Sequence, residues 1–249
     1  MIAQKDDRHI VKSFSEELQT LSKRIAIMGG VAEAQLASCI IAVESRDSEL
    51  AAKVIDADTA LDDMETDINA FTVRVLALRQ PMASDLRHVV GALKISSNIE
   101  RIGDYAANVA KRSQIVNQFP QVRPVAGVIE MGKLVRQNVQ DVLDAYIEHN
   151  VEKAEAVANN DRAVDDLHTS VFQELLTLML EDSETVPACT HLLFMIKNME
   201  RIGDHATSIA ETIQFLVAGK SMQAARSKQD PILSSLTQQD PDFTAALEN

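Results

Sequence analysis

Tryptophan is absent from this 249-residue chain, aromatic residues make up 4% of it, and there are only 8 glycines and 6 prolines. Sheet proteins lean on aromatic residues for their faces and on glycine and proline for their turns, so this composition excludes a turn-rich β fold and favours long helices. Cysteine is nearly missing as well. Cys39 and Cys189 each lie in an apolar helical stretch, which predicts reduced core thiols rather than a disulfide scaffold or a thiolate zinc site, and a cytoplasmic location. Positive charge is the next shortage: 24 Lys and Arg stand against 37 Asp and Glu, for a formal net charge of −13. That balance excludes broad contact with nucleic acid, which needs a Lys/Arg surface, and it predicts no direct lipid binding, because an anionic leaflet repels an acidic protein. The N-terminal MIAQKDDRHIVKSF carries charges where a signal peptide needs an apolar run, and no 18-residue apolar span is expected anywhere, so neither export nor membrane insertion is predicted. A Gly-rich phosphate loop is also missing, which leaves direct nucleotide binding without support.

What is present is helical periodicity. Apolar residues recur at steps of three and four from about His9 to Val43, among them Phe14, Leu18, Leu21, Ile25, Met28, Ala32 and Leu36, with Gly29 and Gly30 as a weak point. A second run holds Leu61, Met64, Ile68, Phe71, Val75 and Leu78 and ends at Gln80-Pro81; a third holds Ile95, Ile99, Ile102, Ala106 and Val109 and ends before Asn117. After a proline-bearing stretch, three further helices are predicted over about Ala126 to Glu148, Val151 to Leu180 and Val186 to Val217.

The two halves are copies. NIERIGD at Asn98 to Asp104 returns as NMERIGD at Asn198 to Asp204, and DxxxDD at Asp58 to Asp63 returns at Asp161 to Asp166. The expected architecture is therefore all-α: a three-helix bundle over 9–117, a linker over 118–124, a second three-helix bundle over 125–218 and a flexible polar tail over 219–249. Either half is long enough to bury a core of its own.

On a helical wheel the third helix of each unit turns its apolar stripe inward and sets Glu100 and Asp104, or Glu200 and Asp204, on the opposite side. Carboxylates at i and i+4 repel by about 0.2–0.5 kcal/mol unless a cation lies between them, so a duplicated pair calls for a reason. On the second helix Asp58, Asp62, Glu65 and Asn69 form one line, matched in unit two by Asp161, Asp165, His168 and Phe172. Antiparallel neighbours bring such lines together. The resulting oxygen-rich sites suit hard or borderline divalent cations such as Mg²⁺, Ca²⁺, Mn²⁺ or iron, and His168 biases its site towards a transition metal, whereas Asn69 weakens the first site. The plain alternative is a solvated acidic face. Gly103 and Gly203 predict close approach of a neighbouring helix, since each costs about 1 kcal/mol in a helix interior. Arg101 and Arg201 either hold the adjacent carboxylates or meet a partner. His88, His191 and His205 lack zinc-enzyme spacing and receive no catalytic role.

In NIERIGD and NMERIGD, in RQPMASDLR at Arg79 to Arg87 and in LEDSETVP at Leu180 to Pro187, the chain resembles the PhoU family from about Phe14 to Gly219. The resemblance implies paired three-helix bundles that are not enzymes. It implies a cytoplasmic negative regulator of phosphate uptake and of the phosphate-starvation response, acting on the ATPase of the phosphate ABC importer and on a membrane sensor histidine kinase. Some members hold metal clusters, and that property maps onto Glu65, Glu100 and Asp104 in unit one, with Asp62 beside them, and onto Asp161, Asp165, Glu200 and Asp204 in unit two, with His168 beside them. Iron, manganese, magnesium or zinc are the cofactors so implied. Two rival functions remain: a metal store, and a carboxylate-bridged di-iron enzyme, which needs Glu-x-x-His pairs that this chain lacks. A homodimer is expected, as for many soluble proteins.

Overall fold

The computed structural model describes residues 3–219. They form seven helices and no strand: α1 (Ala3–Ser45), α2 (Ser48–Asp56), α3 (Asp58–Arg79), α4 (Ala83–Val116), α5 (Val125–Glu148), α6 (Val151–Glu181) and α7 (Val186–Ala218), with one 3₁₀ turn, Ser183–Thr185, before α7. The tail read from the sequence beyond Gly219 lies outside the described residues.

Unit one differs from the three-helix expectation. The chain turns at Arg46, whose φ is 56°, and Asp47 caps a short extra helix, accepting from the Glu49 and Leu50 amides at 2.9 Å each. This α2 is separated from α3 only by Ala57, so together they occupy the place that the unbroken α6 fills in unit two. The side chain of Gln35 explains how the interruption is tolerated. Its amide donates to the Val54 carbonyl at 3.1 Å and to Asp58 Oδ1 at 3.4 Å, taking up backbone that a continuous helix would satisfy internally. At the corresponding place in unit two Asn160 donates to Asn138 at 2.7 Å instead.

Helix termini follow the sequence signals. Gln80 adopts the left-handed conformation that closes α3 just before Pro81, and Gly219 does the same after α7. The Arg46 guanidinium caps the end of α4, donating to the carbonyls of Val116, Asn117 and Phe119 at 3.4, 2.9 and 2.7 Å.

The apolar stripes of all the helices meet in one cluster that runs through both units. The inward residues read from the wheel, Ile95, Ile99, Ile102, Ala106 and Val109 on α4 and Met195, Met199, Ile202, Ala206 and Ile209 on α7, are all buried. Gly29 does not weaken α1, which runs straight through it; the missing side chain is where Leu143 of α5 seats, only 2.6 Å from where a Cβ would stand. The expected absence of an apolar span also needs correction. Within Phe14–Ser45 an 18-residue window is apolar enough to cross a membrane, and 50% of it is buried inside the protein. Its apolarity has a structural cause, since α1 packs against α2, α3, α4 and α5 and so needs apolar residues on most sides.

The two long helices α4 and α7 lie antiparallel along the middle of the molecule. Gly91 of α4 receives Leu216 of α7 at one end, and Arg112 of α4 stacks on Phe194 of α7 at the other, 4.3 Å from the ring centroid. Between them Tyr105 stacks on His205, centroids 5.6 Å apart. These two residues hold equivalent places in the repeat, so the pair marks an approximate twofold relation between the halves.

Candidate functional site

In unit one, α3 and α4 are neighbours and bring the two acidic lines face to face. Asp58, Asp62 and Glu65 of α3 lie within electrostatic reach of Glu100 and Asp104 of α4. The wheel placed the α4 acids on an outward face; the structure corrects this, because the Glu100 side chain is 13% exposed and that of Asp104 34%. They sit on the flank where α4 meets α3, a direction the wheel counts as outward because it knows only one helix. Burial is the main reason that the Glu100 carboxyl is pushed up to about 7. Repulsion from Asp104 adds to it, Arg101 opposes it, and Glu65 and Asp62 raise it further. Arg101 resolves one open question by pairing locally, with Nη1 2.8 Å from Asp104 and Nε 3.4 Å from Glu100.

Asp58, at the head of the same acidic line, also has its carboxyl raised by burial, with the Gln35 hydrogen bond lowering it, Asp104 and Asp62 raising it and Lys111 lowering it. Gln35 and Asp58 meet at Gly103. A Cβ there would stand 2.3 Å from Leu61 Cδ1, 2.9 Å from Gln35 Oε1 and 3.4 Å from Asp58 Oδ1, so the glycine is what admits α3 and Gln35 to this stretch of α4.

Unit two repeats the plan with different details. Asp161 is buried and accepts from the Thr207 hydroxyl at 3.2 Å. The Glu200 side chain is 16% exposed and pairs with Lys197, whose counterpart in unit one is Ser97. His168 is buried with its ring 6.3 Å from that of Phe172. A Cβ on Gly203 would reach only ordinary contact, 3.5 Å from Val164 and 3.9 Å from Asp161. As the side chains stand, no three His, Cys, Asp or Glu residues among those described converge closely enough to hold an ion. What both units share is a half-buried line of carboxylate oxygens between two helices, held by arginine or lysine. Gln35 and Thr207, which tie Asp58 and Asp161 at the head of each line, have no sequence signal beyond an isolated polar residue in an apolar stripe.

Both thiols are buried and unpaired, and burial raises Cys39 to about 12; neither can serve as a ligand to the acidic clusters. His205, half-buried against Tyr105, donates from Nδ1 to Asn98 Oδ1 at 2.8 Å and is held below the usual imidazole range, first by burial.

A tandem pair of antiparallel helical bundles, each with an acidic seam between its last two helices, defines a class of helical repeat proteins. The model of the PhoU domain matches residues 25–113 and 128–213. The chain is 48% identical over 223 residues to the phosphate-specific transport system accessory protein PhoU homolog of Caulobacter vibrioides NA1000, covering 89% of this chain and 97% of that one. It is 44% identical to the homolog of Rhizobium meliloti 1021, over 89% and 94% of the two chains. The crystal structure of PhoU from Pseudomonas aeruginosa superposes with a TM-score of 0.81 at 36% identity, covering 83% of this chain and all of that one. That of the phosphate transport system regulatory protein PhoU from Streptococcus pneumoniae gives 0.77 at 29% identity, over 84% of this chain. The chain belongs to the PhoU family.

Proposed function

We propose that this protein is a cytoplasmic adaptor that restrains the phosphate ABC importer through its ATPase and keeps the associated sensor histidine kinase quiet when phosphate is plentiful. The observation that carries the reading is the match at 48% identity, along almost the full length of both chains, to a protein named as an accessory of the phosphate-specific transport system. Both copies of the repeat take part in the family match, so the whole two-unit body is the functional object. A non-enzymatic role follows from the same names, accessory and regulatory. A homodimer is part of the proposal.

Divalent cation binding is a second element of the proposal. Its support is the cost of the seam itself: Glu100 is driven towards its neutral form by burial and by Asp104, Glu65 and Asp62, and a cation between α3 and α4 relieves that cost. Asp62, Glu65, Glu100 and Asp104 would hold the ion in unit one, and Asp161, Asp165, His168, Glu200 and Asp204 in unit two. Oxygen donors favour magnesium or manganese, and His168 favours iron or zinc. Such an ion would supply positive charge that fixes the two helices in register.

The test is a pulldown of the importer ATPase and of the kinase's cytoplasmic region with wild type, Glu100→Ala/Asp104→Ala and Glu200→Ala/Asp204→Ala, together with deletion of the gene. Constitutive expression of phosphate-starvation genes is expected on deletion, and normal repression there sinks the adaptor reading. Elemental analysis of the purified protein decides the metal.

A further inference from the structure

The exposed charged residues of α4 and α7 are opposite in sign to the acidic seams. Along the open side of the α4–α7 pair stand Lys94, Arg101 and Lys111 from one helix and Lys197 and Arg201 from the other, all exposed. The contacts across this face run in order. Lys94 lies 5.9 Å from the Phe215 ring centroid, Tyr105 stacks on His205 at the middle, and Arg112 covers Phe194 at the far end while its Nη1 lies 3.2 Å from His191 Nδ1. Arg101 and Arg201 both act electrostatically on His205, at the middle of this face. Arg101 and Lys197 are paired with acids of the seams. No salt bridge among the described residues involves Lys94, Lys111, Arg112 or Arg201, although Lys111 also acts electrostatically on Asp58 of the seam.

The floor of this face is partly apolar. At the Arg112 end a depression of about 350 Å³ is lined by Asn108, Lys111, Arg112, Ile115, Phe194 and Asn198, and Phe194 is 49% exposed. An exposed aromatic ring among cations and amides, between two parallel ridges, is the chemistry of a helix-accepting groove. From Lys94 to Arg112 the α4 edge of this face runs about 27 Å at 1.5 Å per residue, the length of a helix of about 18 residues.

We propose that the α4–α7 face is the docking groove for an amphipathic helix of a partner protein, with an apolar stripe on Phe194 and Tyr105 and flanking carboxylates on Lys94, Lys111, Arg112 and Arg201. Charge complementarity commits the occupant. On a chain of net charge −13, a cluster of unpaired cations selects a local acidic ligand, while the acidic remainder repels an extended anionic surface such as a membrane. The inference deepens the adaptor reading by naming the surface and the partner's chemistry, and it reverses the emphasis that the carboxylate motifs alone suggest.

The experiment uses the full chain and a fluorescently labelled helical peptide of about 18 residues bearing a Leu/Phe stripe flanked by Glu, with the same peptide carrying Lys in place of Glu as its counterpart. Binding by anisotropy is expected for the Glu peptide, weakening as salt is raised, and at least tenfold weaker for Lys94→Glu/Lys111→Glu/Arg201→Glu, whose sites are exposed and leave the helical circular dichroism unchanged. Lys23→Glu/Lys53→Glu/Arg162→Glu, equal in charge change but elsewhere on the surface, is expected to bind like wild type, and Arg112→Ala to weaken binding without unfolding. Equal binding by the groove variant and the control variant, no binding of the Glu peptide, or tighter association with phosphatidylglycerol vesicles than with the peptide overturns the proposal. The importer pulldown reads the adaptor function separately: wild type capturing the ATPase while the groove variant captures it equally well refutes the groove and leaves the adaptor reading standing.

Discussion

Gly103→Ala and Gly203→Ala make the same chemical change at equivalent places in the repeated heptapeptide, and they are expected to move stability in opposite directions. In a helix interior alanine is favoured over glycine by up to about 1 kcal/mol, because glycine loses more backbone freedom on folding. At Gly203 the new methyl meets Val164 at 3.5 Å and Asp161 at 3.9 Å, which is ordinary contact, so the propensity gain survives and the variant is about 0.5–1 kcal/mol more stable than wild type. At Gly103 the methyl lands 2.3 Å from Cδ1 of Leu61, a fully buried residue, and 2.9 Å from the buried Gln35 Oε1, which has no hydrogen-bond partner. Leu61 is fully buried, so its Cδ1 gives way only by repacking against its neighbours, and displacing Gln35 loosens its bonds to Val54 and Asp58. Overpacking of this kind costs about 1–3 kcal/mol, which cancels or exceeds the gain. The two variants should therefore differ by about 1–3 kcal/mol, read as midpoint shifts in urea unfolding followed by circular dichroism, with unchanged slopes. Gly203→Ala falling to or below Gly103→Ala would refute the reasoning that the two glycines serve different contacts.

Further outcomes follow from the seam, the caps and the core. Glu100 holds a proton in the folded state up to about 7 but releases it near 4.5 when unfolded. Its contribution to stability therefore falls as pH rises from 4.5 towards 7 and is flat above. Glu100→Gln should remove that part of the pH slope and leave the variant about 1–3 kcal/mol more stable near pH 8, after discounting for partial exposure, with no gain below pH 4.5; urea midpoints across this range measure it. Arg46→Gly keeps the left-handed backbone of the α1–α2 corner and removes three bonds to the end of α4. A loss of about 1–3 kcal/mol is expected, with faster amide exchange confined to the last turn of α4 and the following loop. Cys39, raised to about 12 by burial, should resist a thiol reagent in the native protein and react once urea unfolds it.

Periodicity alone made most of the helices legible. Steps of three and four picked out the buried stripes of α4 and α7 and, in α3, Leu61, Ile68 and Val75, whereas Met64 and Phe71 are only partly buried and Leu78, in the last turn of α3, is exposed. Gln80-Pro81 and Asn117 marked ends for the same local reason. The short α2 has no separate signal because its apolar residues continue the phase of α3, and what compensates the break at Ala57 is a distant side chain, Gln35 of α1. A break compensated by tertiary contact has no local signature.

The repeat, the family and the acidic residues of each seam were determined by sequence, since all three are properties of residue identity and spacing. The direction in which those acids face was decided only by tertiary structure. A wheel describes one helix in isolation, and Glu100 becomes half-buried and shifted because α3 is laid against it. The same holds for the basic groove. Lys94, Lys111, Arg112 and Arg201 lie on two helices far apart in the chain, and only the antiparallel meeting of α4 with α7 gathers them onto one face of an acidic protein.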